Sequence, residues 1–214
     1  SYRRDFTATH STRRPTMPYA PDFFRPDPVD PFPETFHAIE DFEYVSRLVL
    51  AREPEALKSR NVSRVSYIVA EPLEVRFKVA QRDGSVAPRT LTVPAGMLTD
   101  LTSVPWFGRA AVGKVGPHLE AAVVHDYLFI AWQLLGRKAS RQDFDFANAV
   151  MFAAMKKADV KRWRQWLIRQ ALTRFDIAWG WYQEAEPGGP DQLFVRLDRR
   201  FAATTTGLKP SSFA

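Results

Sequence analysis

The sequence predicts an α+β domain, a small antiparallel β-sheet packed on three helices, with extended N- and C-terminal arms. Three observations carry that reading. Short β-rich runs punctuated by a Gly-containing turn lie between residues 67 and 93. Apolar residues recur at helical spacing between residues 117 and 182. Proline and glycine interrupt any periodicity at both ends of the chain.

The predicted division is a proline-rich extended arm over residues 1–35, a core over 36–184 and a C-terminal arm over 185–214. The first arm holds seven of the sixteen prolines. Proline fixes φ and removes an amide donor, so this stretch cannot enter a sheet interior or a long helix. Its aromatics, Tyr2, Phe6, Tyr19, Phe23, Phe24, Phe32 and the adjoining Phe36, are an apolar load that a plain spacer would not carry; they read as anchors. Residues Phe42 to Leu50 fit an edge strand or a short helix equally. Tyr67–Val69 and Val75–Val79 read as strands, and Arg82-Asp83-Gly84-Ser85 as the turn into Thr90–Val93. Pro117 suits the first position of a helix to about Leu134, and Ser140 the N-cap of a second to about Lys157, with Asp143 in its first turn. A third, longer helix is expected from Asp159 to about Tyr182, with Trp163, Leu167, Ala171, Phe175, Ala178 or Trp179, and Tyr182 on its apolar stripe. Pro187-Gly188-Gly189-Pro190 then opens the second arm.

At 214 residues the chain suits one core with appendages. No apolar run approaches the roughly 18–20 residues of a membrane span, and Ser1–Asp5 has no apolar stretch behind it to predict a secretory leader. Without cysteine there can be no disulfide, thiolate metal site or cysteine nucleophile. The net charge of +6 directs attention to anionic partners. Lys156, Lys157, Lys161, Arg162, Arg164 and Arg169 are opposed locally only by Asp159. A basic helix with Trp163 and Trp166 between its charges fits a phosphate backbone. The favoured reading is plainer: the cations cover the solvent face of an amphipathic helix whose tryptophans pack inward.

Two segments concentrate the chemistry. In Val93–Trp106, the residues Thr99, Asp100, Thr102 and Ser103 follow a strand and Gly96 and precede Val104-Pro105. Asp and Ser at this spacing build a tight turn through side-chain to backbone bonds; equally, Asp100 could ligate a cation or orient a base while Ser103 offers a hydroxyl. In Ala121–Phe129, His125 and Asp126 interrupt an apolar helix. Successive helical residues point about 100° apart, so the two need not share a pocket. A core histidine satisfied by Asp100 is one reading of His125. Buried Asp126 needs a cation or several donors, and Arg141, four residues before Asp145, is a candidate partner. A catalytic set of Asp100, Ser103, His125 and Asp126, or a divalent metal ion held by Asp100, His125, Asp126 and Asp145, remains open. A phosphate loop, H-E-x-x-H and G-x-S-x-G are all absent from the sequence.

Val-Pro-Ala-Gly-Met-Leu-Thr-Asp-Leu-Thr-Ser-Val-Pro (93–105), Ala-Ala-Val-Val-His-Asp-Tyr-Leu (121–128) and Ser140-Arg141 with Asp145 resemble a family of small proteins of unknown function found mainly in tailed bacteriophages and prophages. Its pattern is V-P-x-G-F-x-T-D-x-x-S-V-P, then a helix carrying A-x-x-H-D-x-L, then R-x-x-x-D at a helix start, and the likeness spans about residues 65–182. Met97 stands where the family usually has Phe. The resemblance implies a phage origin and one site formed by Thr99, Asp100, Ser103, His125, Asp126, Arg141 and Asp145. It implies no reaction. The expectation is therefore a virion component of the tail, baseplate or neck, made in the bacterial host cytoplasm, docking on other virion proteins through residues 1–35 and 185–214, with no membrane partner and with nucleic acid on the basic helix as the least favoured reading. The alternative is a metal-dependent hydrolase, virion-borne and acting on bacterial cell wall.

Overall fold

The computed structural model describes residues 22–52, 67–99, 118–173, 176–185 and 189–197. Its architecture is the α+β mixture expected, antiparallel sheets against helices. The first sheet has the order β1-β4-β5, formed by β1 (Ala38–Tyr44), β4 (Leu73–Ala80) and β5 (Val86–Val93). The clean alternation of β4 turns Leu73, Val75, Phe77 and Val79 inward, where Phe42 of β1 stacks on Phe77. Of the segment Phe42–Leu50 that fitted strand or helix, only Phe42–Tyr44 belong to β1; residues 45–49 are neither strand nor helix, and Leu50 starts a further strand.

The strands do not form one sheet. Among the described residues β2 (Leu50–Arg52), β3 (Tyr67–Val69) and β6 (Leu98–Thr99) make a second antiparallel sheet, in the order β2-β3-β6. The last pair of the first sheet joins Leu73 to Val93, and each is flanked by a proline, Pro72 or Pro94, that has no N–H for the ladder. Gly96, at φ 88°, then turns the chain so that Leu98 and Thr99 pair with Ile68 and Tyr67. A glycine is required here because a Cβ would stand 2.3 Å from the Val195 carbonyl oxygen.

Four helical segments are described: α1 (Leu119–Leu134), α2 (Arg141–Lys157), α3 (Arg162–Thr173) and α4 (Asp176–Gln183). The expected third helix is therefore described in two pieces, either side of Arg174 and Phe175, which lie outside the described residues. Helix α2 packs on β1 and on α1. Ser140 occupies the N-cap of α2 in extended conformation, although its hydroxyl makes no capping bond. Asp143 is buried in the first turn, 3.0 Å from Arg137.

One expectation is overturned. Trp163 and Trp166 do not pack inward; they are 50% and 58% exposed. Among the described side chains of α3, those that enter the core are Ile168 and Leu172. Trp166 precedes Ile168 by two residues and Trp163 by five, placing both indoles on the far side of the helix at about 100° per residue. The inward stripe resumes in α4 with Ala178 and Tyr182.

The described parts of both arms lie against the core. Phe32 is buried edge-on against Phe146, under the Arg137 guanidinium, which also pairs with Asp30 at 3.4 Å. Arg25 donates to the Leu134 carbonyl at the end of α1, and Gln142 donates to Pro33 and Glu34. At the other end Leu193, Phe194 and Val195 are buried and extend the second sheet: Phe194 bridges Met97, and Val195 bridges Phe23. Residues 1–21 and 198–214, which hold the anchors Tyr2, Phe6 and Tyr19, lie outside the described residues.

Gly96→Ala tests the crossover. It should lower stability by about 2–4 kcal/mol, because the left-handed backbone and the close Val195 carbonyl oppose the same Cβ; urea unfolding of the two proteins reads the difference. Gly84→Ala, at a similar φ of 84° with nothing within 4 Å, should lose clearly less.

Candidate functional site

The first motif is the crossover itself. Val93 ends the first sheet, Gly96 makes the turn, Met97 enters the core with no exposed surface, and Leu98-Thr99 join the second sheet. Gly96 N–H donates to the Val69 carbonyl at 2.7 Å, and its own carbonyl accepts from Val195 N–H at 2.9 Å. The motif thus holds both sheets and the C-terminal segment in one place.

The second motif lies on α1, of whose sixteen residues thirteen are buried. A helix enclosed on nearly every side must satisfy its polar side chains internally. Asp126, 9% exposed, accepts a hydrogen bond from the Thr99 hydroxyl at 2.5 Å. The bond ties strand β6 to α1.

His125 faces elsewhere. Its Nε2 lies 3.0 Å from Asn148 Oδ1 on α2, and its ring stacks obliquely on Phe129, one turn along, at 4.0 Å between centroids. With 1% of its surface exposed, its charged form is strongly desolvated, and burial lowers its pKa to about 4, the Asn148 contact opposing that shift in part. The ring is therefore neutral at pH 7. With Nε2–H donating to Asn148, Nδ1 is left as a buried acceptor without a partner.

The structure brings together Thr99 with Asp126, and His125 with Asn148. It does not bring His125 and Asp126 to a common point, since these neighbours on one helix reach different elements. Asp145 stands exposed on α2 in an ion pair with Arg141 at 3.4 Å, and Arg141 lies over the Phe144 and Trp179 rings. The Arg141 carboxylate partner is thus Asp145. Asp100, Thr102 and Ser103 lie outside the described residues. Among the described residues no group of three His, Asp or Glu side chains is placed to hold a metal ion. Asn148 is the site residue that sequence reasoning missed. Its signal was present: a lone amide at the centre of the run Phe146-Ala147-Asn148-Ala149-Val150 must face an apolar interior with a partner.

Fold and site define an α+β domain whose two sequence motifs close against each other through the buried Thr99–Asp126 hydrogen bond. Residues 73–172 match the model of a domain family described as "Protein of unknown function (DUF1353)". The matched span begins at β4 and runs through the crossover and α1 and α2 into α3, leaving out β1–β3 and both terminal segments. A search of curated proteins and one of solved structures each returned no match.

Two outcomes follow. Thr99→Val keeps the shape and removes the donor to Asp126, and should cost about 1–3 kcal/mol by urea unfolding. Acid should expose His125: its folded pKa lies below the unfolded value near 6.5, so the unfolded state takes up the proton first. The stability it contributes is complete above pH 6.5 and is lost as pH falls toward 4. Between pH 7 and about 4.5 the parent should lose about 2–3 kcal/mol more than His125→Gln; equal losses would show that the histidine is not responsible.

Proposed function

We propose that this protein is a docking subunit, a virion component of the tail, baseplate or neck of a tailed phage, which binds neighbouring virion proteins through its terminal segments. One observation carries the reading. The two ends of the domain run side by side: Phe24 N–H donates to the Phe194 carbonyl at 3.0 Å, and Arg196 N–H donates to the Asp22 carbonyl at 2.7 Å. Residues 1–21 and 198–214 therefore join the domain at one corner of the second sheet. Two segments tethered at one corner can engage one neighbour together, each raising the effective concentration of the other. In this reading the Asp126 and His125 contacts are structural, holding the crossover that supports that corner.

The hydrolase is the weaker alternative. A metal centre would have to be completed around Asp126 by Asp100 and its neighbours, because His125 faces Asn148 and Asp145 is paired with Arg141.

Two experiments separate the readings. Deleting residues 1–21 or 198–214 should leave the melting temperature nearly unchanged while abolishing incorporation into particles; normal incorporation would overturn the docking role. The cut belongs before Asp22, since removing residues as far as 35 also strips Phe32 from the core and the Arg25 bond from the end of α1. Elemental analysis of purified protein beside Asp100→Ala should find no stoichiometric divalent metal in either. Metal present in the parent and lost in the variant would favour the hydrolase.

A further inference from the structure

We infer that the exposed face of α3 is a binding surface for single-stranded nucleic acid, with Trp163 and Trp166 as stacking platforms and the flanking cations holding the phosphates. This surface lies apart from the docking corner and does not rest on the virion reading.

The argument begins with the overturned expectation. Indoles half or more exposed beside guanidinium groups are surfaces left open, and placing two of them three residues apart sets their Cβ atoms about 5–6 Å from each other on one side of the helix. That separation is comparable with the step between neighbouring bases in an unwound strand. The Arg164 guanidinium lies 5.2 Å from the Trp163 ring centroid, so this ring is backed by a cation. Arg162 and Arg169, four residues before and three after Trp166, bracket it on the same face.

Charge selects the partner. Lys156, Lys157, Lys161 and Arg162 are exposed and form no ion pair with any described carboxylate. With Asp159 the one carboxylate among residues 156–164, this stretch stays net positive, as an anion-binding surface requires. Alongside runs an open groove of about 450 Å³, where Lys156, Gln165, Arg169 and Arg141 stand with a single described carboxylate, Asp145, beside the edge of β1. A phosphate backbone can follow that groove while bases turn onto the indoles, the combination of basic track and aromatic platform that binds single strands without sequence preference. A lipid surface fits less well. Ile168 and Leu172 of α3 are committed to the core and Leu167 is half-buried, so among the described residues of the helix no aliphatic side chain stands exposed to enter an acyl layer.

The test uses the full-length chain and a fluorescein-labelled oligothymidylate of about 20 nucleotides, read by anisotropy and tryptophan quenching. Binding should be saturable and weaken steeply between about 50 and 200 mM salt. Trp163→Ala and Trp166→Ala should each weaken it roughly five- to 150-fold. Their melting temperatures should not fall, because neither indole is in the core. Arg162→Glu should weaken binding and flatten the salt dependence. These variants keep both terminal segments, so charge carried there is constant across the series. Absence of binding, equal affinity in the Trp163→Ala/Trp166→Ala double variant, or binding to phosphatidylglycerol vesicles in place of the oligonucleotide would each overturn the inference.

Discussion

The enclosure of α1 is the constraint on which the rest of the structure depends. Thirteen of its sixteen residues are buried, and the helix carries an imidazole and a carboxylate at its centre. Neither can be left unsatisfied without a penalty of a few kcal/mol, so the elements around the helix must present partners in fixed positions. Thr99 does so from the second sheet and Asn148 from α2. The two bonds leave α1 in different directions, and together they determine which strand and which helix can lie beside it. Apolar packing alone would allow α1 to rotate or slide among similar contacts; directional bonds to Asp126 and His125 discriminate among those arrangements.

The same logic explains why the crossover is built as it is. For Thr99 to reach Asp126, the chain must leave the first sheet at Val93 and enter the second within a few residues. Pro94 ends the ladder, Gly96 supplies a positive φ, and Met97 fills the space between the sheets. The C-terminal segment depends on the result, since Val195 pairs with the Gly96 carbonyl and Phe194 with Met97. The N-terminal segment depends in turn on Phe194 and Val195. A polar contact on one helix is thereby connected, through a chain of backbone bonds, to the corner where both terminal segments join the domain.

On the outer surface the balance is different. Among the described side chains of α3, Ile168 and Leu172 are the buried ones, while Trp163 and Trp166 stand outside the packing. The exposed cations there, Lys161, Arg162 and Arg169, are spared the desolvation that buried charges suffer, and the two indoles stand among them.

Much of this was legible in the sequence. The strands at Tyr67–Val69 and within 73–93, the first two helices, and the importance of Thr99, His125 and Asp126 follow from local rules: alternation, helical period, capping preference, and the rarity of polar groups within apolar runs. These rules act over a few residues and need no knowledge of neighbours. They also marked Asp126 as a carboxylate in need of donors. What only the tertiary structure decided are the pairings. The two sheets, the choice of Thr99 and Asn148 as partners, the side-by-side course of the terminal segments and the outward turn of Trp163 and Trp166 all depend on which distant residues meet. The period of α3 admits two neighbouring stripes, one through Trp163 and Leu167 and one through Ile168 and Leu172. Residues far away in sequence form the surface that accepts the aliphatic stripe, and a sequence read locally holds no record of that surface.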